Sequence, residues 1–165
     1  MGGSSATQSA IMVAWPNGKC DKYFIFTIEQ LNDNSGQQTL RYSVVQISCG
    51  VASITSKNTL LKSYVSEKLT GIADGIGGYT VVAHGYDKTN TSNPVNSEYY
   101  AFKVTSSGVT PGPTSNGFPH VTGSGGSYGV ATTGQMQISP DGTKIASPSI
   151  QHSSRCTTSM PRPEW

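Results

Sequence analysis

Nine residues, Ile138-Ser139-Pro140-Asp141-Gly142-Thr143-Lys144-Ile145-Ala146, spell a short strand, a tight turn and a returning strand. Proline fixes φ at the first turn position, Asp caps the bend with its carboxylate, and Gly tolerates the positive φ that closes it. Weaker versions stand upstream at Trp15-Pro16-Asn17-Gly18 and Ala73-Asp74-Gly75. The turns Asn17-Gly18, Asp74-Gly75 and Asp141-Gly142 lie 57 and 67 residues apart, which reads as an internal repeat.

Each turn opens the same succession. Ser9 to Trp15 is mostly apolar and ends in the Asn-Gly turn. Tyr23-Phe24-Ile25-Phe26-Thr27-Ile28 follows, aromatic and β-branched, and reads as a strand buried on both faces. Leu40 to Ile47 alternates, with Leu40, Tyr42, Val44 and Gln46 on one side, and Lys57 to Ser63 is polar enough for a sheet edge. In the second copy, Lys68 to Ala73 and Tyr79 to His84 form the hairpin. Tyr99 to Thr105 is the third strand, and Val109 to Thr114 is a fourth that Pro111 and Pro113 confine to an edge.

Nineteen glycines, nine prolines and only 12% charged residues agree with an all-β chain of short strands and many turns. Four-stranded antiparallel units in series are the pattern of a β-propeller, here about two and a half blades; a β-sandwich is the alternative. The expected division is an incomplete propeller over 1–148, with blade 1 about 9–63, blade 2 about 67–115 and a half blade at 134–148. Residues 149–165 are expected to be an irregular or disordered tail.

The net charge of +2 and the lack of a basic stripe exclude a nucleic-acid footprint. Met1-Gly2-Gly3-Ser4-Ser5 lacks a basic region and an apolar core, so no signal peptide is expected, and no apolar run has the length of a membrane helix, so no membrane insertion is expected. Cys20, Cys49 and Cys156 are too far apart for a metal motif; free thiols are the expected state, with a Cys20–Cys49 disulfide as the alternative.

Candidate chemistry is thin. Gly125-Gly126-Ser127-Tyr128-Gly129 matches the nucleophile-elbow pattern, but Pro119-His120-Val121-Thr122 is a poor strand before it and Val130 to Gly134 a poor helix after it. His84, His120 and His152 have no metal-ligand spacing, and His84 ends an apolar strand as packed histidines do. Asp87, Asn90, Asn93 and Glu98 supply oxygens without the glycine and glutamate positions of an EF-hand, so a solvated loop is expected. Asn90-Thr91-Ser92 is a formal glycosylation acceptor. Asp141 is explained by its turn, and Tyr23, Phe24, Phe26, Tyr99, Tyr100 and Phe102 by packing between sheets. No catalytic, metal or cofactor residue is expected, and no enzyme.

The Pro-Asp-Gly hairpin resembles the blade signature of WD40-like and lactonase-type propellers. A longer series is more specific: Ala6-Thr7-Gln8-Ser9-Ala10, Tyr23 to Thr27, Leu40 to Val45, Lys57 to Leu61, Glu67 to Thr70 and Val81 to Gly85. Together these resemble the N-terminal propeller region of secreted gliding-motility-associated and type IX sorting-domain proteins of Bacteroidetes-type bacteria, over about residues 4 to 148. The resemblance implies a cell-surface or secreted location and a non-catalytic structural or interaction module whose partner is a protein or glycan. It also implies a propeller continuing beyond this chain, so that a truncated gene product without selected function is one alternative. A carbohydrate-binding or hydrolytic propeller with its site in the channel-facing loops near His84 and Asp87 is another. Relative to that family, Gln46 to Ser53 interrupts an expected Asp- and Gly-rich turn, and Ser147 to Trp165 departs from a blade. Open blade edges are expected to favour self-association.

Overall fold

A computed structural model describes residues 8–18, 21–29, 38–85, 95–121 and 134–147. All regular structure in these residues is β, in ten strands. β1 (Ala10–Ala14), β2 (Lys22–Ile28), β3 (Thr39–Ser48) and β4 (Val51–Ser63) form sheet 1 in that spatial order. β5 (Val65–Ala73), β6 (Tyr79–Gly85), β7 (Val95–Thr105) and β8 (Gly108–Val121) form sheet 2 in the same order. β9 (Gln137–Ile138) and β10 (Ile145–Ala146) make a separate hairpin. Every pairing is antiparallel.

The strands arise where the sequence places them, with instructive differences in extent. β2 is buried along one face only: Phe24, Phe26 and Ile28 are enclosed while Tyr23, Ile25 and Thr27 are half-buried. The expectation of burial on both faces is therefore corrected for β2; it is β6 that is covered on both sides, from Thr80 to Gly85. Gln46 to Ser53 does not interrupt the sheet. Cys49 (φ 51°) and Gly50 (φ 79°) form a two-residue turn with both centres left-handed, so β3 and β4 stay paired out to Ser48 and Val51. β8 extends past Pro111, Pro113 and Pro119, and the expected poor strand at Pro119-His120-Val121 belongs to it. An edge strand accommodates these prolines because its outward side needs no N–H donor.

The three turns share hydrogen bonding more than conformation. Gly18 N–H donates to the Trp15 carbonyl at 3.1 Å, and Gly142 N–H to the Ser139 carbonyl at 2.8 Å, each across a proline. Asn17 itself takes positive φ (53°) in the first turn; Gly75 (78°) and Gly142 (71°) do so in the others. Asp74 and Asp141 act alike, each accepting the N–H two residues on with Oδ1, from Ile76 at 2.9 Å and Thr143 at 3.0 Å. Replacing Gly142 with Val forces a β-branched side chain into the left-handed region, at a cost of about 1–2 kcal/mol. The expected result is lost amide-exchange protection across residues 136 to 146; unchanged protection there would contradict the requirement.

Packing is serial. One face of sheet 1 (Phe24, Phe26, Leu40, Val44) meets one face of sheet 2 (Val81, Ala83, Phe102, Val104) in a single core. The opposite face of sheet 2 (Val82, Tyr99, Ala101) receives Met136, Ile138 and Ile145 of the hairpin. The pairs closing the three hairpins, Ala14↔Tyr23, Ala73↔Tyr79 and Ile138↔Ile145, make Tyr23, Tyr79 and Ile145 equivalent. That register is one residue shorter than the 57- and 67-residue turn spacing, because the connecting segments differ in length. One residue exchanges the two faces of a strand, so only this alignment puts the forward face of each sheet on the rear face of the next. Forward means the Phe24 face of sheet 1 and the Val82 face of sheet 2.

The first strands of the three units lie side by side, β5 adjoining both β1 and β9. Gly71 on β5 lets β1 approach: a Cβ there would lie 3.1 Å from Ile11 Cδ1 and 3.3 Å from the Thr80 carbonyl oxygen. Gln8, just ahead of β1, links all three, accepting the Leu69 N–H at 3.4 Å. Its side-chain oxygen accepts the Met136 N–H at 2.6 Å and its amide donates to the Met136 carbonyl at 3.3 Å.

Candidate functional site

Two clefts follow from this stacking. One, of about 320 Å³, lies among the inner strands and is walled by Gln8, Met12, Val13, Gly71, Ile72 and Gln137. The other, of about 380 Å³, lies where the β5–β6 turn faces the β9–β10 turn, between Asp74, Ile76, Thr80, Lys103, Pro140 and Asp141.

Two carboxylates at one cleft invite an acid–base reading, but both serve the backbone. Asp74 Oδ1 accepts from the Ile76 and Gly78 N–H groups at 2.9 and 2.8 Å. Asp141 is held down to about pKa 2 by the Ser139 hydroxyl and the Thr143 N–H, so it is ionised throughout the working pH range and has no proton to donate as a general acid. Among the described residues no group of three or more His, Cys, Asp or Glu gathers as a metal site.

The histidine of the apolar strand, His84, is fully buried, with its ring edge-on to Tyr99 at 4.6 Å and Nδ1 3.4 Å from the Ser66 hydroxyl. It lines neither cleft. The Tyr100 hydroxyl donates to Glu98, and burial, aided by that bond, pushes the phenol pKa well above its usual value. His120 lies on the β8 backbone. Asp87, Asn90, Asn93, the Gly125 to Gly129 motif and His152 fall outside the described residues, as do Cys20 and Cys156. Cys49 is a free, exposed thiol at the β3–β4 turn.

Sequence reasoning missed the buried polar row at the start of β5, where Ser66, Glu67 and Lys68 are all enclosed. Lys68 Nζ donates to the Ser147 hydroxyl at 3.2 Å, joining β5 to the residue after β10. Burial lowers its pKa to about 8, since the charged ammonium loses its water. A Ser-Glu-Lys run ahead of a turn carries the signal of a solvated surface, and only the arrival of the third hairpin over β5 reverses it.

The arrangement joins structural polar contacts to two shallow clefts. No family model, curated protein or solved structure matches the chain.

Proposed function

We propose that this chain is a propeller-type stack of antiparallel sheets that acts as a non-catalytic structural or interaction module. One observation carries the reading. Sheet 2 is covered on both faces by units of its own kind, sheet 1 behind and the β9–β10 hairpin in front, with inner strands side by side. A blade in a propeller has this environment; the two sheets of a sandwich each keep one face for solvent. The commitment of Asp74 and Asp141 to their turns supports a module that binds through surfaces. Placement at the surface of a bacterial cell, among gliding-motility-associated or sorting-domain proteins, rests on the motif series from Ala6 to Gly85 set out above.

The test is a paired screen of the folded chain. Chromogenic glycoside, ester, phosphate and peptide substrates are offered for turnover, and a glycan array for binding. No turnover and no saturable glycan binding are expected. Saturable hydrolysis that disappears on replacing Lys103 or Thr80, at the larger cleft, would overturn the proposal in favour of a hydrolytic propeller.

A further inference from the structure

Sheet 1 has a rear face that nothing in the chain covers among the described residues. The register places Met12 opposite Ile25, Val45 opposite Ile54, Ile47 opposite Ala52 and Leu60 opposite Arg41, all on the side away from Phe24 and Phe26. Four of the six exposed large hydrophobic side chains among the described residues lie there: Met12 is 64% exposed, Ile54 57%, Leu60 50% and Ile47 38%. The equivalent residues of sheet 2, Val81 for Ile25 and Val104 for Val45, are wholly buried against sheet 1. The face thus has the composition of a covered surface and the exposure of an open one.

We infer that a second copy of this chain covers it, by the same face, about a twofold axis. Both forward faces are occupied, that of sheet 1 by sheet 2 and that of sheet 2 by the β9–β10 hairpin. Among the described residues, the forward face a second copy could bring to a head-to-tail stack is that of the two-stranded hairpin, Gln137 and Ala146, whereas its rear face is four strands wide. The face suits itself. Arg41 is the charged side chain in its paired rows, with Glu29 Oε1 3.6 Å from Arg41 Nε, and Asp21, whose carbonyl accepts the Ile47 N–H at 2.6 Å, stands beside the same rows, so charges of both signs are present.

Pairing at the sheet edges is less favourable. Prolines punctuate β8, and β4 bends at Asn58 (φ 53°), where its N–H turns to the Ser43 hydroxyl. Four strands at about 4.8 Å spacing and about 3.3 Å rise per residue give a face on the order of 20 by 30 Å. With side-chain relief this approaches the ~800 Å² per partner of a standard interface. Two like sheets packed this way form an isologous contact that closes at two copies. The inference names a partner for the proposed module, but its test does not depend on the catalytic screen.

Light scattering and sedimentation of the full chain over a concentration series should show a monomer–dimer equilibrium. Ile54→Lys and Met12→Lys, made separately and checked for fold by circular dichroism, should each weaken the dimer about tenfold or more, since a lysine would be buried at the contact. Val51→Lys is the control. Val51 is 68% exposed on the same hairpin but pairs with Ser48 on the other side of the sheet, so the dimer should be unchanged. A monomer at every concentration, a dimer indifferent to both face variants, equal weakening by Val51→Lys, or open-ended growth beyond two copies would each overturn the inference.

Discussion

Replacing Lys68 with methionine is expected to stabilise the protein at pH 7 by about 2 kcal/mol and to remove a rise in stability between pH 8 and 10.5. The ammonium of Lys68 is buried, and that loss of water lowers its folded pKa from 10.5 to about 8. The unfolded chain therefore holds this proton up to about pH 10.5, while the folded chain gives it up near pH 8. Between those values the unfolded state binds more protons, so stability climbs with pH, by on the order of 3 kcal/mol in all. Methionine has similar length and no charge to desolvate; loss of the bond to Ser147 offsets about 1 kcal/mol of the gain. Urea unfolding of both proteins from pH 7 to pH 10 reads the difference. A methionine variant less stable than the parent at pH 7, or parallel curves for the two proteins, would refute the account.

The opposite effect is expected at Phe26. This ring is fully buried between the sheets, in a cluster with Phe24 at 6.2 Å and Tyr42 at 6.0 Å between ring centroids. Phe24 in turn stacks on Trp15 at 4.6 Å, and Lys22 caps the Trp15 ring at 3.5 Å. Phe26→Ala removes the centre of this cluster and leaves a cavity that two pleated sheets cannot close, at a cost of about 3–5 kcal/mol. Against a typical total of about 5–15 kcal/mol, this removes a large share of the stability. The neighbouring Ile25→Ala, on the half-buried rear face, should cost about 1 kcal/mol. Denaturant midpoints for the two variants decide the point: comparable losses would mean that the two faces of β2 are wrongly assigned.

The architecture was legible wherever a residue's own chemistry dictates its conformation. Asp141-Gly142 could be placed in a turn because few other pairs tolerate that backbone, and Pro111 and Pro113 marked an edge because neither has an N–H to give. Facing was less legible. Turn spacing misaligns the repeats by one residue, since the three connections differ in length, and a slip too small to affect strand placement reverses inside and outside. The buried polar residues were illegible for another reason. His84 could be read as packed from its place on an apolar strand, but Ser66, Glu67 and Lys68 could not, and no local pattern announces a neighbour that arrives about eighty residues later, as Ser147 does for Lys68. The clefts form where turns from different repeats meet, so their linings were likewise beyond a reading of one segment at a time.

The clasp of Gln8 on Met136 also dictates an order of events during synthesis. Sheet 1 pairs neighbours in sequence and is able to form as soon as Ser63 has left the ribosome. Gln8 can meet the Leu69 N–H, at 3.4 Å, as soon as β5 is made, but waits for Met136 before the clasp is complete. The clasp is thus fastened after sheet 1 and β5 are in place, and it joins residues 128 apart in sequence. That long loop makes this the slow step of assembly, during which the rear face of sheet 1 and the bare front of sheet 2 are both open to chaperones or to another nascent chain.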